Sequence, residues 1–255
     1  MDLGLTGKTA VVTGASKGIG LAVVKALVAE GARVTAGART FGELPDGVRG
    51  VRADLGTPAG PAQLIDDAVG AYGGLDVLVN NVGATRPRTG GFLSISDDDW
   101  LTTLTLNLLS AVRTTRAAVP HLLRSKGVIV TVVSVNAGLP DPLVMDYSAA
   151  KAALASFSKS LSKELGPQGV RVNTVSPGPV ETDLWLGENG VAHTVGGANG
   201  IAPEAVAKQA MAGVPTGRFS TPDEVAALVV MVASDRAGNV TGADFVIDGG
   251  MVATL

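Results

Sequence analysis

The stretch Thr13-Gly14-Ala15-Ser16-Lys17-Gly18-Ile19-Gly20 constrains this chain most. It follows a short apolar, partly β-branched run at 9–13 and precedes residues 21–30, whose apolar side chains recur at helical spacing. Glycines at 14, 18 and 20 permit a tight turn from strand to helix. They also let backbone N–H groups approach a phosphate at the positive end of that helix. The glycine spacing departs from the GxGxxG dinucleotide pattern, but the physical logic is the same.

Three more strand-like runs follow, at 32–38, 48–53 and 75–79, with a helix expected over 58–72. Strands alternating with helices imply an α/β, doubly wound parallel sheet with ligands beyond the carboxyl ends of its strands. The chemistry-bearing residues fall at those ends. Gly14 and its neighbours follow the first strand, and Ala38-Arg39 closes the second. Asp54-Leu55 follows the third, where a carboxylate could meet an adenine amino group or act as a turn residue. Asn80-Asn81-Val82-Gly83 follows the fourth, offering amides to pin loops or a ribose. At the end of the second strand an acidic residue would select a ribose 2′-hydroxyl, whereas arginine pairs with a 2′-phosphate. With Arg39 there and Lys17 in the glycine loop, NADP(H) is the expected cofactor and NAD(H) the second option.

Composition excludes other classes. The 255 residues carry a net charge of −3, which supplies no basic face for nucleic acid. No apolar run reaches the length of a membrane span, and the start of the sequence lacks signal-peptide regions, so a cytoplasmic location is expected. With no cysteine and two isolated histidines, His121 and His193, no metal site is expected. No linker is evident, and residues 1–255 read as one domain.

In the second half, 97–125 reads as a long helix with Asp97, Asp98 and Asp99 in its first turn, Asn107 in an apolar stretch, and a kink expected at Pro120. A strand at 128–133 ends at Ser134, thirteen residues before Tyr147. Tyr147 and Lys151 stand four apart in a helical segment, on one helix face. A free phenol titrates near ~10, so a cation held beside it is expected to lower its pKa and make an acid/base catalyst.

Taken together, TGASKGIG, Asp54-Leu55, NNVG, Asn107, Ser134, YSAAK, PGPVETDL and the closing IDGG resemble, in order and spacing, the short-chain dehydrogenase/reductase family in its single-domain branch. The resemblance runs from about Thr6 to Gly250. It implies a Rossmann fold with about seven parallel strands flanked by helices on both faces. It implies Tyr147 as general acid/base, Ser134 holding the same substrate oxygen, Lys151 lowering the Tyr147 pKa and binding the nicotinamide ribose, and Asn107 holding a water in a proton relay. The cofactor site it implies comprises Gly14, Ser16, Lys17, Gly18, Ile19, Gly20, Arg39, Asp54, Leu55, Asn81, Val82, Gly83, Tyr147, Lys151, Pro177, Gly178, Val180 and Thr182. Val82 replaces the frequent alanine of NNAG, and Asn136 with Gly138 shifts a common SxxG form by one place.

The helix at 148–165 has an apolar stripe and a small-residue face of Ala149, Ala152, Ala153 and Ser156. Relatives assemble through this helix and the one before it, so a homo-oligomer, dimer or tetramer, is expected. Residues 184–215 are expected to form a substrate lid, glycine-rich and mobile at first, with Trp185, Leu186, Val191, His193 and Val195 as lining candidates. Leu139, Pro140, Pro142, Leu143, Val144 and Met145 suggest an apolar pocket, and Arg86 and Arg88 are solvated loop charges or anion ligands. The expected reaction is hydride transfer between NADP(H) and a ketone or secondary alcohol of an apolar small molecule. A 3-oxoacyl-(acyl carrier protein) reductase is the alternative, although the positions corresponding to its docking arginines are Ser125 and Gln168. A cofactor-sensing binding protein without turnover is the alternative from another class.

Overall fold

The computed structural model of the protein describes residues 2–253; Met1 and 254–255, the ends of the expected domain span, lie outside the described residues. Seven parallel strands form one sheet: β1 (Thr9–Thr13), β2 (Arg33–Ala38), β3 (Arg49–Arg52), β4 (Val77–Asn80), β5 (Val128–Val132), β6 (Arg171–Pro177) and β7 (Asp244–Ile247). Their order, β3-β2-β1-β4-β5-β6-β7, reverses direction between β1 and β4, which creates the crevice where such sheets bind ligands.

Strands β1, β4 and β5 are buried throughout because helices cover both faces. On one face Val12, Val34, Val79 and Val130 pack with α1 (Gly18–Ala29) and α9 (Pro222–Ala233). On the other, Val11, Leu78 and Ile129 pack with α2 (Gly60–Tyr72), α4 (Ser110–Ser125) and the end of α5 (Met145–Leu165). Fully burying one such Val or Leu contributes about 1.5–3 kcal/mol, so this two-sided core is the main support of the strand ends that build the crevice.

The expected single helix at 97–125 is corrected. It divides into α3 (Asp97–Leu104), a π-helical turn (Thr105–Leu109) and α4. Pro120 lies inside α4, so the interruption is at Asn107 and not at the proline. The amide of Asn107 explains it: Nδ2 donates to Thr103 O (3.0 Å) and to Ala84 O (2.9 Å), while Oδ1 accepts from Ala84 N–H (3.1 Å). A wider turn lets this side chain reach the loop after β4.

Residues 184–215, expected from their glycine content to form a lid that is mobile at first, are largely helical. They fold as α6 (Asp183–Leu186), α7 (Val191–Asn199) and α8 (Pro203–Ala212), with Ala192, Val206 and Ala207 as a small core of their own. Farther on, the Arg171 guanidinium donates to the carbonyls of Val232 (2.9 Å) and Ser234 (3.0 Å), closing the end of α9.

Candidate active site

One cavity of about 920 Å³ opens beyond the carboxyl ends of the central strands. Gly14, Ser16, Lys17, Gly18 and Ile19 line it after β1, Arg39 after β2, Asp54 and Leu55 after β3, and Asn81, Val82 and Gly83 after β4. Ser134, Tyr147, Lys151, Pro177, Gly178, Val180 and Thr182 line the same space. Two of the expected residues do not. Gly20 packs beneath the loop, where a Cβ would stand 2.3 Å from Gly14 O, and Asn107 is fully buried behind Ala84.

The glycine loop is held by its neighbour rather than by its own contacts. Asn81 Nδ2 donates to Thr13 O (3.1 Å) and Gly14 O (3.2 Å), and Thr13 Oγ1 accepts from Asn81 N–H (2.9 Å). Asn81 therefore pins the two loops together. Gly14 has a left-handed φ of 64°, and a Cβ there would meet Asn81 Nδ2 at 3.1 Å. No side chain caps α1, so the N–H groups of its first turn remain free at the cavity. These features fit the phosphates of a dinucleotide. Arg39 is exposed at the rim with no acidic residue beside it in sequence, whereas Lys17 Nζ pairs with Asp183 at 2.8 Å. The Asp54 Oδ1 accepts from Gly56 N–H (2.9 Å), a turn-forming bond, and the residue lines the cavity.

Tyr147 lies in the first turn of α5, and Lys151 one turn later. The Lys151 ammonium stands 5.6 Å from the centroid of the Tyr147 ring and donates to Val132 O (3.0 Å). Burial lowers the Lys151 pKa to about 8. In the chain without cofactor, burial raises the Tyr147 pKa, and the nearby Ser134 hydroxyl pulls the other way without prevailing. The reason is the protein around the ring, which solvates a phenolate poorly even though the residue is only half-buried. The Ser134 Oγ accepts from Asn136 N–H (3.2 Å), which fixes the hydroxyl at the end of β5. Gly83 lets the β4 loop approach, because a Cβ there would meet Asn107 Oδ1 at 3.1 Å and Lys151 Nζ at 3.3 Å.

The remaining wall is mixed, with Thr85, Asn136, Asp141 and Asp183 among its polar residues and an apolar group beside them. Leu143, Val144, Trp185, Val191, Val195 and Val206 line it, with Gln209 among them. Leu139, Pro140, Pro142, Met145, Leu186 and His193 do not line it, and His193 is exposed. Arg88 is neither a solvated charge nor a free anion ligand. Its side chain is 10% exposed and pairs with Asp99 (2.8 Å) and Asp146 (2.5 Å). Burial alone would raise the Asp146 carboxyl, but hydrogen bonds from Arg88 and Thr103 outweigh it and hold the pKa below its ordinary value. Sequence spacing gave no sign of this network, since Arg88 and Asp146 are 58 positions apart. No group of three or more metal-ligating side chains occurs among the described residues.

The family model for enoyl-(acyl carrier protein) reductase matches residues 14–252. The chain belongs to the short-chain dehydrogenase/reductase family. A 3-alpha-(or 20-beta)-hydroxysteroid dehydrogenase of Mycobacterium tuberculosis is 36% identical, over 98% of this chain and 92% of that protein. The L-sorbose reductase of Gluconobacter frateurii, solved with NADPH and L-sorbose, superposes with a TM-score of 0.90 at 32% identity, covering 100% of both chains. The 3-ketoacyl-(acyl-carrier-protein) reductase of Brucella melitensis, solved with NADH, superposes with a TM-score of 0.85 at 27% identity, covering 97% of this chain and 99% of that one. The chain is thus a member of an oxidoreductase family, with a Rossmann-type fold. No described helix is long and apolar enough to cross a membrane.

Proposed function

We propose that the protein is an NADP(H)-dependent reductase of ketones borne on neutral, apolar small molecules. The observation that carries this reading is that Ser134, Tyr147 and Lys151 share one cavity with the glycine loop and with the apolar side chains of Leu143, Val144, Trp185, Val195 and Val206. Bound nicotinamide supplies the hydride. Tyr147, whose phenol is protonated at neutral pH, gives its proton to the carbonyl oxygen. Ser134 donates to the same oxygen and holds it near the phenol. Lys151 holds the nicotinamide ribose and keeps positive charge beside the ring. Gly14, Ser16, Gly18 and Ile19 receive the phosphates at the uncapped start of α1, and Arg39 meets the 2′-phosphate. Asn107 acts through Ala84, positioning the loop that carries Gly83.

A free ketone ranks above a carrier-bound one, because docking an acidic carrier requires cations. The Ser125 hydroxyl turns inward to Leu75 O (2.7 Å) and Gln168 is neutral, which leaves Arg124, in contact with His121, and the exposed Lys126 as the flanking cations. The small face of α5, with Ala149, Ala152 and Ser156 exposed, supports assembly as a homo-oligomer.

The test is NADPH oxidation at 340 nm with bulky alicyclic ketones, compared with acetoacetyl-carrier protein. Faster reduction of a free ketone supports the reading, and preference for the carrier thioester replaces it with the 3-oxoacyl reductase. NADPH binding without turnover on either would favour a cofactor-sensing binding protein.

A further inference from the structure

We propose that Arg88 and Asp146 form a positioning clamp that fixes the substrate wall against Tyr147 and thereby sets which ketones fit. The inference rests on the reductase reading given above. Asp146 is 2% exposed and immediately precedes Tyr147 in the first turn of α5. Its Oδ2 accepts from Arg88 Nη2 (2.5 Å), Arg88 Nε (3.2 Å) and Thr103 Oγ1 (2.7 Å). The same guanidinium donates through Nη1 to Asp99 Oδ1 (2.8 Å) in α3. The Arg88 backbone N–H donates to Leu143 O (2.6 Å). One residue of the loop after β4 thus binds the segment before α5 through its backbone and the first turn of α5 through its side chain.

Both clamped segments reach the substrate. Pro87, next to Arg88, lines the cavity, and so do Leu143 and Val144 just before Asp146. Tyr147 follows directly. The distance between the two walls, and the place of the phenol relative to them, are therefore set by a planar fork between two carboxylates. A buried ion pair is a poor source of net stability, because desolvation offsets much of the Coulombic gain. Its geometry is the asset here: arginine holds Asp99 and Asp146 at once, whereas a lysine is a single point charge without that fork.

The test compares wild-type protein with Arg88→Lys and Asp146→Asn, using NADPH with a bulky ketone, 1-decalone, and a small one, cyclohexanone. Both variants should bind NADPH within about twofold of wild type, while the decalone-to-cyclohexanone ratio of kcat/KM falls by about tenfold, as expected for a misplaced wall. Lower overall stability would reduce both substrates alike and leave the ratio unchanged. Hydrogen exchange gives a readout that needs no turnover: peptides covering 84–91 and 139–147 should exchange faster, and those covering 9–30 should not change. A ratio within twofold of wild type, or unchanged exchange in the nearly isosteric Asp146→Asn, overturns the clamp. If the wild type reduces neither ketone, the reductase reading fails and exchange alone decides the clamp.

Discussion

Lys151 Nζ lies 5.6 Å from the Tyr147 ring centroid and spends a hydrogen bond on the Val132 carbonyl. The ammonium is thus aimed at the end of β5 and past the phenol, in surroundings that weaken its own proton affinity. In the chain alone the pair is a protonated phenol beside a lysine that titrates at about 8.

The pH dependence follows. Lys151 is charged below about pH 8 and loses its proton above it. Because kcat/KM reports the free protein, kcat/KM for NADPH should be level through neutral pH and decline above about 8. A profile flat to pH 10 would mean that the Lys151 charge is not needed for cofactor capture.

Stability should move against activity at the same residue. The folded pKa of Lys151, about 8, lies below its value near ~10.4 in the unfolded chain, so the unfolded state holds the extra proton between these limits. Below pH 8 the buried charge therefore destabilises the fold, by up to about 3 kcal/mol, and the loss is recovered as pH rises toward 10.5. Lys151→Met should raise the unfolding temperature at pH 7 by about 5 °C, less at pH 10, and abolish turnover. A lower unfolding temperature at pH 7 would contradict the desolvation account.

Cofactor choice should respond to two rim charges. Arg39→Asp should weaken NADPH binding by roughly 10–100-fold and improve NADH binding, through lost pairing and added repulsion. Asp183→Asn releases Lys17 from its 2.8 Å partner and should tighten NADPH by a few-fold, an effect that fades with salt. Fluorescence titration with each cofactor reads both. Unchanged NADPH affinity in Arg39→Asp would remove Arg39 from the 2′-phosphate site.

Two glycine substitutions should have opposite signs. In Gly20→Ala the new methyl would stand 2.3 Å from Gly14 O and 2.5 Å from Asn81 Nδ2, so the loop and α1 must separate, at about 3 kcal/mol or more. In Gly70→Ala it meets nothing within 4 Å on the exposed side of α2, and helix propensity should stabilise by roughly 0.5–1 kcal/mol. Denaturant unfolding of the two variants measures the contrast.

The central strand ends were legible because both faces of the sheet are covered there, so β1 and β4 read as apolar runs closed by Gly14 and Asn81, whereas Asp54 follows the exposed edge strand β3 and was legible only by its place in the alternation. The Tyr147–Lys151 relation followed from helical spacing alone. Three features were not legible. The π-turn at Asn107 depends on a bond to Ala84, 23 residues away. The Arg88 network joins α3, α5 and a loop, and single-sequence spacing carries no such partner. The raised Tyr147 pKa reflects burial by the surrounding protein, which the local Tyr147–Lys151 pattern does not show.

The most direct measurement is the turnover and NADPH affinity of Tyr147→Phe beside wild type, with a ketone that the wild type reduces. General acid catalysis by this phenol predicts a fall in kcat of at least about 10²-fold with NADPH affinity kept within about threefold. Turnover within about twofold of wild type would contradict it, since that is far below the loss expected from removing an acid/base group.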